Sequence, residues 1–228
     1  MTLTLHWRRA ALCLLALTAV ACARPGGQEL PDTTATPQRV QTYTGVMPCA
    51  DCPGIDEVLT LFPDGSYRMR LSYRERSAVF YELGVWALRP DGSRLQLSQA
   101  QGSREYQVLP TALRQLDQEG RAIASPFNFT LTLSETVDPI AEPMPLRGLF
   151  TWDGTAAWLM ECESGQRFTV RAEETDPFTA LIWRYRTAAD LGRPVLVRVV
   201  GRFQERGTVS PTISVVSFEG VTQTNTCR

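Results

Sequence analysis

Among 228 residues there is no lysine, so all 23 basic residues are arginine, and the one histidine is His6. The missing lysine points to genome composition rather than to function. The missing imidazole excludes more. His6 lies in a leader that export removes, so the mature chain cannot run Ser-His-Asp hydrolysis, and any metal or redox chemistry must use sulfur. No spacing points to a serine-only or carboxylate mechanism. Charge of one sign is also scarce: the formal balance is -1, which becomes -3 when the two arginines Arg8 and Arg9 are removed, and the charges are interspersed. Nothing in that balance suggests a nucleic-acid surface. Long apolar runs are absent as well. Residues 10–17 form an apolar stretch after Arg8 and Arg9, too short to span a bilayer and of the length of a signal-peptide core.

Small residues Ala19 and Ala21 lead from that core into Cys22. Ala19-Val20-Ala21 fits a simple signal-peptidase site, and Ala19-Val20-Ala21-Cys22 fits a bacterial lipobox. The lipobox is the preferred reading, because Cys22 directly follows the small residue and a flexible Arg24-Pro25-Gly26-Gly27 stretch comes next. It makes 1–21 a lipoprotein signal peptide, Cys22 the lipidated first residue and 22–40 a tether. Ala23 is not the Asp that retains lipoproteins at the inner membrane, which gives the periplasmic face of the outer membrane as the address.

Beyond the tether the chain reads as strands and turns. Tyr67, Met69, Leu71 and Tyr73 alternate with Arg68, Arg70 and Ser72, the period-two pattern of a half-buried strand. Turns at Pro63-Asp64-Gly65 and Pro90-Asp91-Gly92 join neighbouring apolar runs, and a hairpin is expected around Gln118-Glu119-Gly120. Phe127, Phe129, Leu131 and Leu133 alternate again. Six to eight short strands at turn spacings of roughly ten residues predict an antiparallel up-and-down barrel over 41–137. Residues 138–145 hold three prolines in eight positions and read as a semi-rigid linker. After it, 146–228 is expected to be a small OB-like barrel. Three strands are followed by a short helix carrying Phe178, Leu181, Ile182 and Tyr185 at i, i+3, i+4 and i+7, then by two more strands.

Four thiols remain, and they divide by domain. Cys162 and Cys227 bracket the second domain, so a bridge between them is the natural pairing in an oxidising periplasm. The chain-entropy model gives such a loop about 4 kcal/mol. That bond is either a plain staple or a reporter of failed oxidation through a loosened domain. Cys49 and Cys52, in Pro48-Cys49-Ala50-Asp51-Cys52-Pro53-Gly54, leave three readings open: a local disulfide, a redox centre and a metal clamp. Two thiolates supply half of a structural zinc shell. A thioredoxin-type centre opens a helix, whereas Pro53-Gly54 follows here, and the Asp51 anion works against a reactive thiolate. Soft Cu(I) accepts two or three sulfur ligands and fits Cys49 and Cys52, with Met47 either a third donor or a packing residue on the preceding strand.

The run TYTGVMPCADCPGIDEVLTLFPDGSYRMRLSYRE resembles the N-terminal domain of the NlpE (CutF) family of copper-homeostasis and envelope-stress lipoproteins. LRGLFTWDGTAAWLMECESGQRFTV is similar to the start of that family's C-terminal OB-like domain, with Cys162 and Cys227 at its half-cystine positions. The resemblance implies a lipocalin-like N-terminal barrel, an OB-fold C-terminal domain and an outer-membrane lipid anchor. It implies a sensor rather than an enzyme, one that responds to copper, redox or lipoprotein-trafficking state and signals to the inner-membrane sensor kinase of a two-component system. Two other classes compete with it: a passive barrel module for a small ligand or a protein, and a thiol-disulfide oxidoreductase with Cys49 as nucleophile.

Overall fold

The computed structural model describes residues 39–100, 102–172, 175–204, 211–222 and 224–227. The expected signal peptide, Cys22 and most of the tether lie outside them. The first half is a closed barrel of eight strands that succeed one another around the wall: β1 Gln41–Met47, β2 Ile55–Leu61, β3 Ser66–Tyr73, β4 Val79–Leu88, β5 Arg94–Gln99, β6 Gly102–Leu109, β7 Ala112–Gln115 and β8 Thr130–Leu133. Every neighbouring pair is antiparallel, and β8 closes on β1 through Tyr43↔Leu133 and Thr44↔Thr132. Alternation directs one set of side chains inward, and Leu59, Leu61, Tyr67, Met69, Leu95, Leu97, Tyr106, Leu113 and Leu131 are all 2% exposed or less. Each aliphatic residue so buried contributes about 1.5–3 kcal/mol, which closes the barrel around side chains rather than around a channel.

The predicted aromatic alternation is cut short at its start. β8 begins at Thr130, and Phe127 is 69% exposed. The cause is local: Pro126 has no N–H to give a ladder, the Phe127 N–H turns onto Ser125 Oγ at 3.2 Å and the Thr130 N–H onto Asn128 Oδ1 at 3.0 Å. The turn at Gln118-Glu119-Gly120 exists, with the Gly120 N–H on the Asp117 carbonyl at 3.0 Å, but it joins a single bridge, Leu116↔Ala122, rather than two strands.

The second half is a closed five-stranded barrel in the order β10-β11-β13-β12-β9, from β9 Met144–Trp152, β10 Ala157–Glu161, β11 Arg167–Ala172, β12 Val195–Gln204 and β13 Thr212–Thr222. β11 and β13 are parallel, so the chain must cross over between them, and it does so through the helix α1 Thr175–Ala188 and β12. Pro177 sits in the first helical turn, where its missing N–H costs nothing. Leu181 and Tyr185 face inward at 1% and 0% exposure. The Tyr185 ring meets Phe150 edge-on at 5.5 Å, while its hydroxyl donates to the carbonyls of Asp190 and Arg193 at 3.0 and 2.8 Å. This is the OB arrangement, with the helix plugging one end of the barrel.

β9 starts at Met144, inside the stretch expected to be linker, and the residues just before it are half-buried, with Ile140 at 0% exposure. It shares a buried cluster with Met144, Phe150, Phe203 and Leu83, the last of these from the outer face of β4. The second barrel thus packs on the wall of the first.

Candidate functional site

Cys49 and Cys52 lie in the loop 48–54 between β1 and β2, at one rim of the first barrel. Register decides what surrounds them. Met47↔Ile55 and Ile55↔Tyr73 place the loop beside the β3–β4 turn, 74–78. Arg76 from that turn donates through Nη2 to the Asp51 carbonyl at 2.9 Å and to its carboxylate at 2.8 Å. The Arg74 N–H donates to the Gly54 carbonyl at 3.0 Å, and its guanidinium forks onto Asp56, with the closest approach 2.7 Å. That hydrogen bonding holds the Asp56 carboxyl below the usual carboxylate range. Gly54 has φ 151°, and a Cβ there would lie 2.7 Å from Val46 Cγ1, so the return of the loop into β2 has no room for a side chain.

The two sulfurs form a disulfide with a Cα–Cα separation of 5.3 Å. Asp51 Oδ1 is 3.5 Å from Cys49 Sγ and the Gly54 carbonyl 3.4 Å from Cys52 Sγ; in the oxidised form neither sulfur has a proton to give, so these are contacts rather than hydrogen bonds. Ligand atoms of Cys49, Asp51 and Cys52 all fall within 4.8 Å of one another, with both cysteines half-buried and Asp51 exposed. A metal could enter this cluster only after a two-electron, two-proton reduction of the bond, because the thiolate is the ligand. Met47, on the preceding strand, is 5% exposed and belongs to the core cluster with Tyr43, Leu59 and Trp86.

The second pair, Cys162 and Cys227, is also joined, with Cα–Cα 5.4 Å across a sequence separation of 65. Arg147 on β9 ties both ends of the bridge, accepting the Cys162 N–H on its carbonyl at 2.9 Å and donating Nη2 to the Cys227 carbonyl at 2.7 Å. Next to it Glu161, 1% exposed, caps the turn by accepting from the Glu163 and Ser164 N–H groups at 3.0 and 2.7 Å.

Inside the first barrel lies a polar cluster that sequence reasoning missed. Tyr106 donates to Glu57 at 3.2 Å, and Arg104 donates to Glu82 at 2.6 Å and reaches Met69 Sδ at 3.0 Å. Burial pushes the Glu57 carboxyl up, against the pull of Arg104 and of the Tyr106 hydroxyl. For Arg104, burial works against the charge, but Glu82 and its neighbours outweigh it and the guanidinium stays ionised. No local motif announces this cluster; alternation alone, carried through Glu57 and Arg104, puts charged residues on the inward face. Among the described residues no helix is long and apolar enough to cross a membrane.

Similarity to known proteins respects the two-barrel division. A family model described as the NlpE N-terminal domain matches residues 43–126, and one described as the NlpE C-terminal OB domain matches 140–227. The chain is 36% identical to Lipoprotein NlpE of Escherichia coli (strain K12) over 179 residues, covering 75% of this chain and 73% of that protein. Among solved structures it is similar to the Cpx pathway activator NlpE from Escherichia coli, 30% identical, covering 82% of this chain and 97% of that one with a TM-score of 0.35. It is also similar to a lipoprotein from Shewanella oneidensis, 29% identical, covering 46% of this chain and 95% of that one with a TM-score of 0.40.

Proposed function

Because this chain belongs to the NlpE family, a family of lipoproteins and not of enzymes, we propose that it is a periplasm-facing sensor, lipid-anchored to the outer membrane through Cys22, that reports envelope stress to an inner-membrane sensor kinase. The observation that carries this reading is the match of both barrels, in order, to the two domains of that family. The solved Escherichia coli relative is a Cpx pathway activator, and a two-component stress system is the corresponding partner here. Cys22 acylation sets the location. When lipidation or trafficking fails, the protein accumulates at the inner membrane, where its partner is.

The thiols supply the chemical inputs. After reduction, Cys49 and Cys52 are the two soft donors for Cu(I), with Asp51 beside them and Arg76 balancing its charge. Met47 remains in core packing. The Cys162–Cys227 bond reports oxidative folding through the firmness of the second barrel. An anaerobic Cu(I) titration of the reduced protein against a competing chelator, with a Cys49→Ser, Cys52→Ser variant alongside, tests the first input. One tight equivalent lost in the variant supports copper sensing; no binding in either leaves the pair a redox or structural disulfide. Membrane fractionation of cells expressing Cys22→Ala tests the anchor. A variant that still pellets with membranes would sink it.

A second reading, a thiol-disulfide oxidoreductase at Cys49, has one observation in its favour: the bond is local, at a rim, with both cysteines only half-buried. Insulin reduction that depends on Cys49 would support it.

A further inference from the structure

The segment 138–143 is bound along its length. The Asp138 N–H donates to Thr42 Oγ1 at 3.0 Å, and its carbonyl accepts from the hydroxyls of Thr42 and Thr60. Its carboxylate takes Arg70 Nη2 at 2.7 Å and the Ile140 N–H at 2.9 Å, while the other Arg70 nitrogen pairs with Glu142. Ile140 is held at φ 51°, a conformation that a β-branched residue abandons when nothing restrains it. Strain of this kind persists only where the surroundings over-determine it.

Arg68, on β3, is the centre of the arrangement. Nη1 donates to the carbonyls of Pro139 and Ile140 at 2.9 and 3.5 Å. The guanidinium stacks 4.5 Å from the centroid of Phe62 in the first barrel and 3.5 Å from that of Phe203 in the second. One side chain therefore touches both barrels and the segment that joins them. Burial draws it down to about 9, which leaves it charged at periplasmic pH and so keeps both cation–π contacts.

The contact also covers something. Among the described residues β5 pairs only with 85–88 of β4, which leaves 79–84 paired to β3 alone. A cavity of about 520 Å³ runs beside that free edge, lined by Tyr81 and Glu82 on one side and Leu146 and Arg147 on the other. Two further polar contacts join the barrels, Gln166 Nε2 to Asp64 at 2.8 Å and the Ala100 N–H to Glu163 at 2.8 Å.

We infer that 138–143 is a latch rather than a spacer: through Arg68 and Arg70 it holds the second barrel shut over the unpaired half of β4, and its release turns one cooperative body into two independent barrels with that strand edge free. Domains joined by a solvated linker move and unfold separately, whereas domains sharing a buried core unfold together. This inference stands apart from the signalling reading and does not need it.

Differential scanning calorimetry and small-angle scattering on the mature chain test it, using Arg68→Gln, Arg70→Gln and, as a milder change on the other partner, Asp138→Asn, Glu142→Gln. The wild type should melt in one transition and scatter as one compact particle. The arginine variant should melt in two transitions with an increased radius of gyration, and the carboxylate variant should move the same way by less. A wild type that already melts in two transitions overturns the latch, as does unchanged scattering with one transition in the arginine variant. Should the arginine variant fail to fold, the carboxylate variant decides by the same two readouts.

Discussion

The two barrels carry the same covalent bond at opposite scales. In the first, Cys49–Cys52 closes a loop with a sequence separation of 3; in the second, Cys162–Cys227 closes one of 65. Loop-closure entropy grows with the logarithm of loop length, so the chain-entropy model gives the long bridge about 4 kcal/mol and the short one about 2 kcal/mol or less. The first barrel barely needs its bond. Its strands succeed one another around the wall, each pairing with the next, and its inward alternation fills the interior. The second barrel is smaller, contains a parallel pair, and depends on a crossover that local contacts do not secure. Its bond ties the end of the chain back to Arg147 and β9. Where a disulfide stabilises little it is free to serve chemistry; where it stabilises much, its loss is a structural event.

The sharpest test of that contrast is Cys227→Ser, which should lower the stability of the second barrel by about 3–4 kcal/mol in denaturant titration. Cys49→Ser, Cys52→Ser should cost about half of that or less. Equal losses would erase the contrast. Next in size, Gly54→Ala should destabilise the first barrel by about 1–3 kcal/mol, because a Cβ meets Val46 and φ 151° is strained for alanine. The midpoint of the same titration reads it, and an unchanged midpoint would mean that the rim loop can shift.

A pH test addresses the interior of the first barrel. Glu57 has a raised pKa in the fold, so the folded state favours its neutral form. The penalty is absent below the unfolded value near 4.5 and grows as pH rises through the folded value. Glu57→Gln should therefore stabilise at neutral pH, with the gain vanishing below about pH 4.5. A variant less stable at pH 7 would show that the charged form is the one the barrel holds. The smallest effect on stability belongs to Arg76→Ala, since an exposed ion pair contributes about 0–1 kcal/mol. Its chemistry should still change. Alkylation of the reduced Cys49–Cys52 pair should slow without the cation and quicken in Asp51→Asn.

Much of the architecture was legible in the chain. Alternation at Tyr67, Met69, Leu71 and Tyr73 marks β3, the two Pro-Asp-Gly turns punctuate the meander, and the helix stripe through Leu181 and Tyr185 ends in the core as its spacing requires. Phe127 shows where pattern misleads: it sits in phase with Leu131 and Leu133, but the Phe127 and Thr130 N–H groups donate to the side chains of Ser125 and Asn128, which turns the backbone away. The segment 138–143 misled for another reason. Pro139 and Pro143 describe its stiffness, not its environment, and nothing local reveals that Arg68 and Arg70 wait for its carbonyls and carboxylates.

Folding does not alter composition, so the class of chemistry was set in the chain before any strand paired. With His6 as the one histidine, the two domains offer sulfur and no imidazole for a metal or redox event, and the spacing of the cysteines sorts them by domain. The neighbours of those residues come from the fold. Arg76 beside Asp51, Met47 in the core cluster, and Arg68 between Phe62 and Phe203 all depend on strand register and on the docking of one barrel against the other. Those contacts join residues far apart in the chain, and no local pattern of side chains encodes which distant surface will arrive.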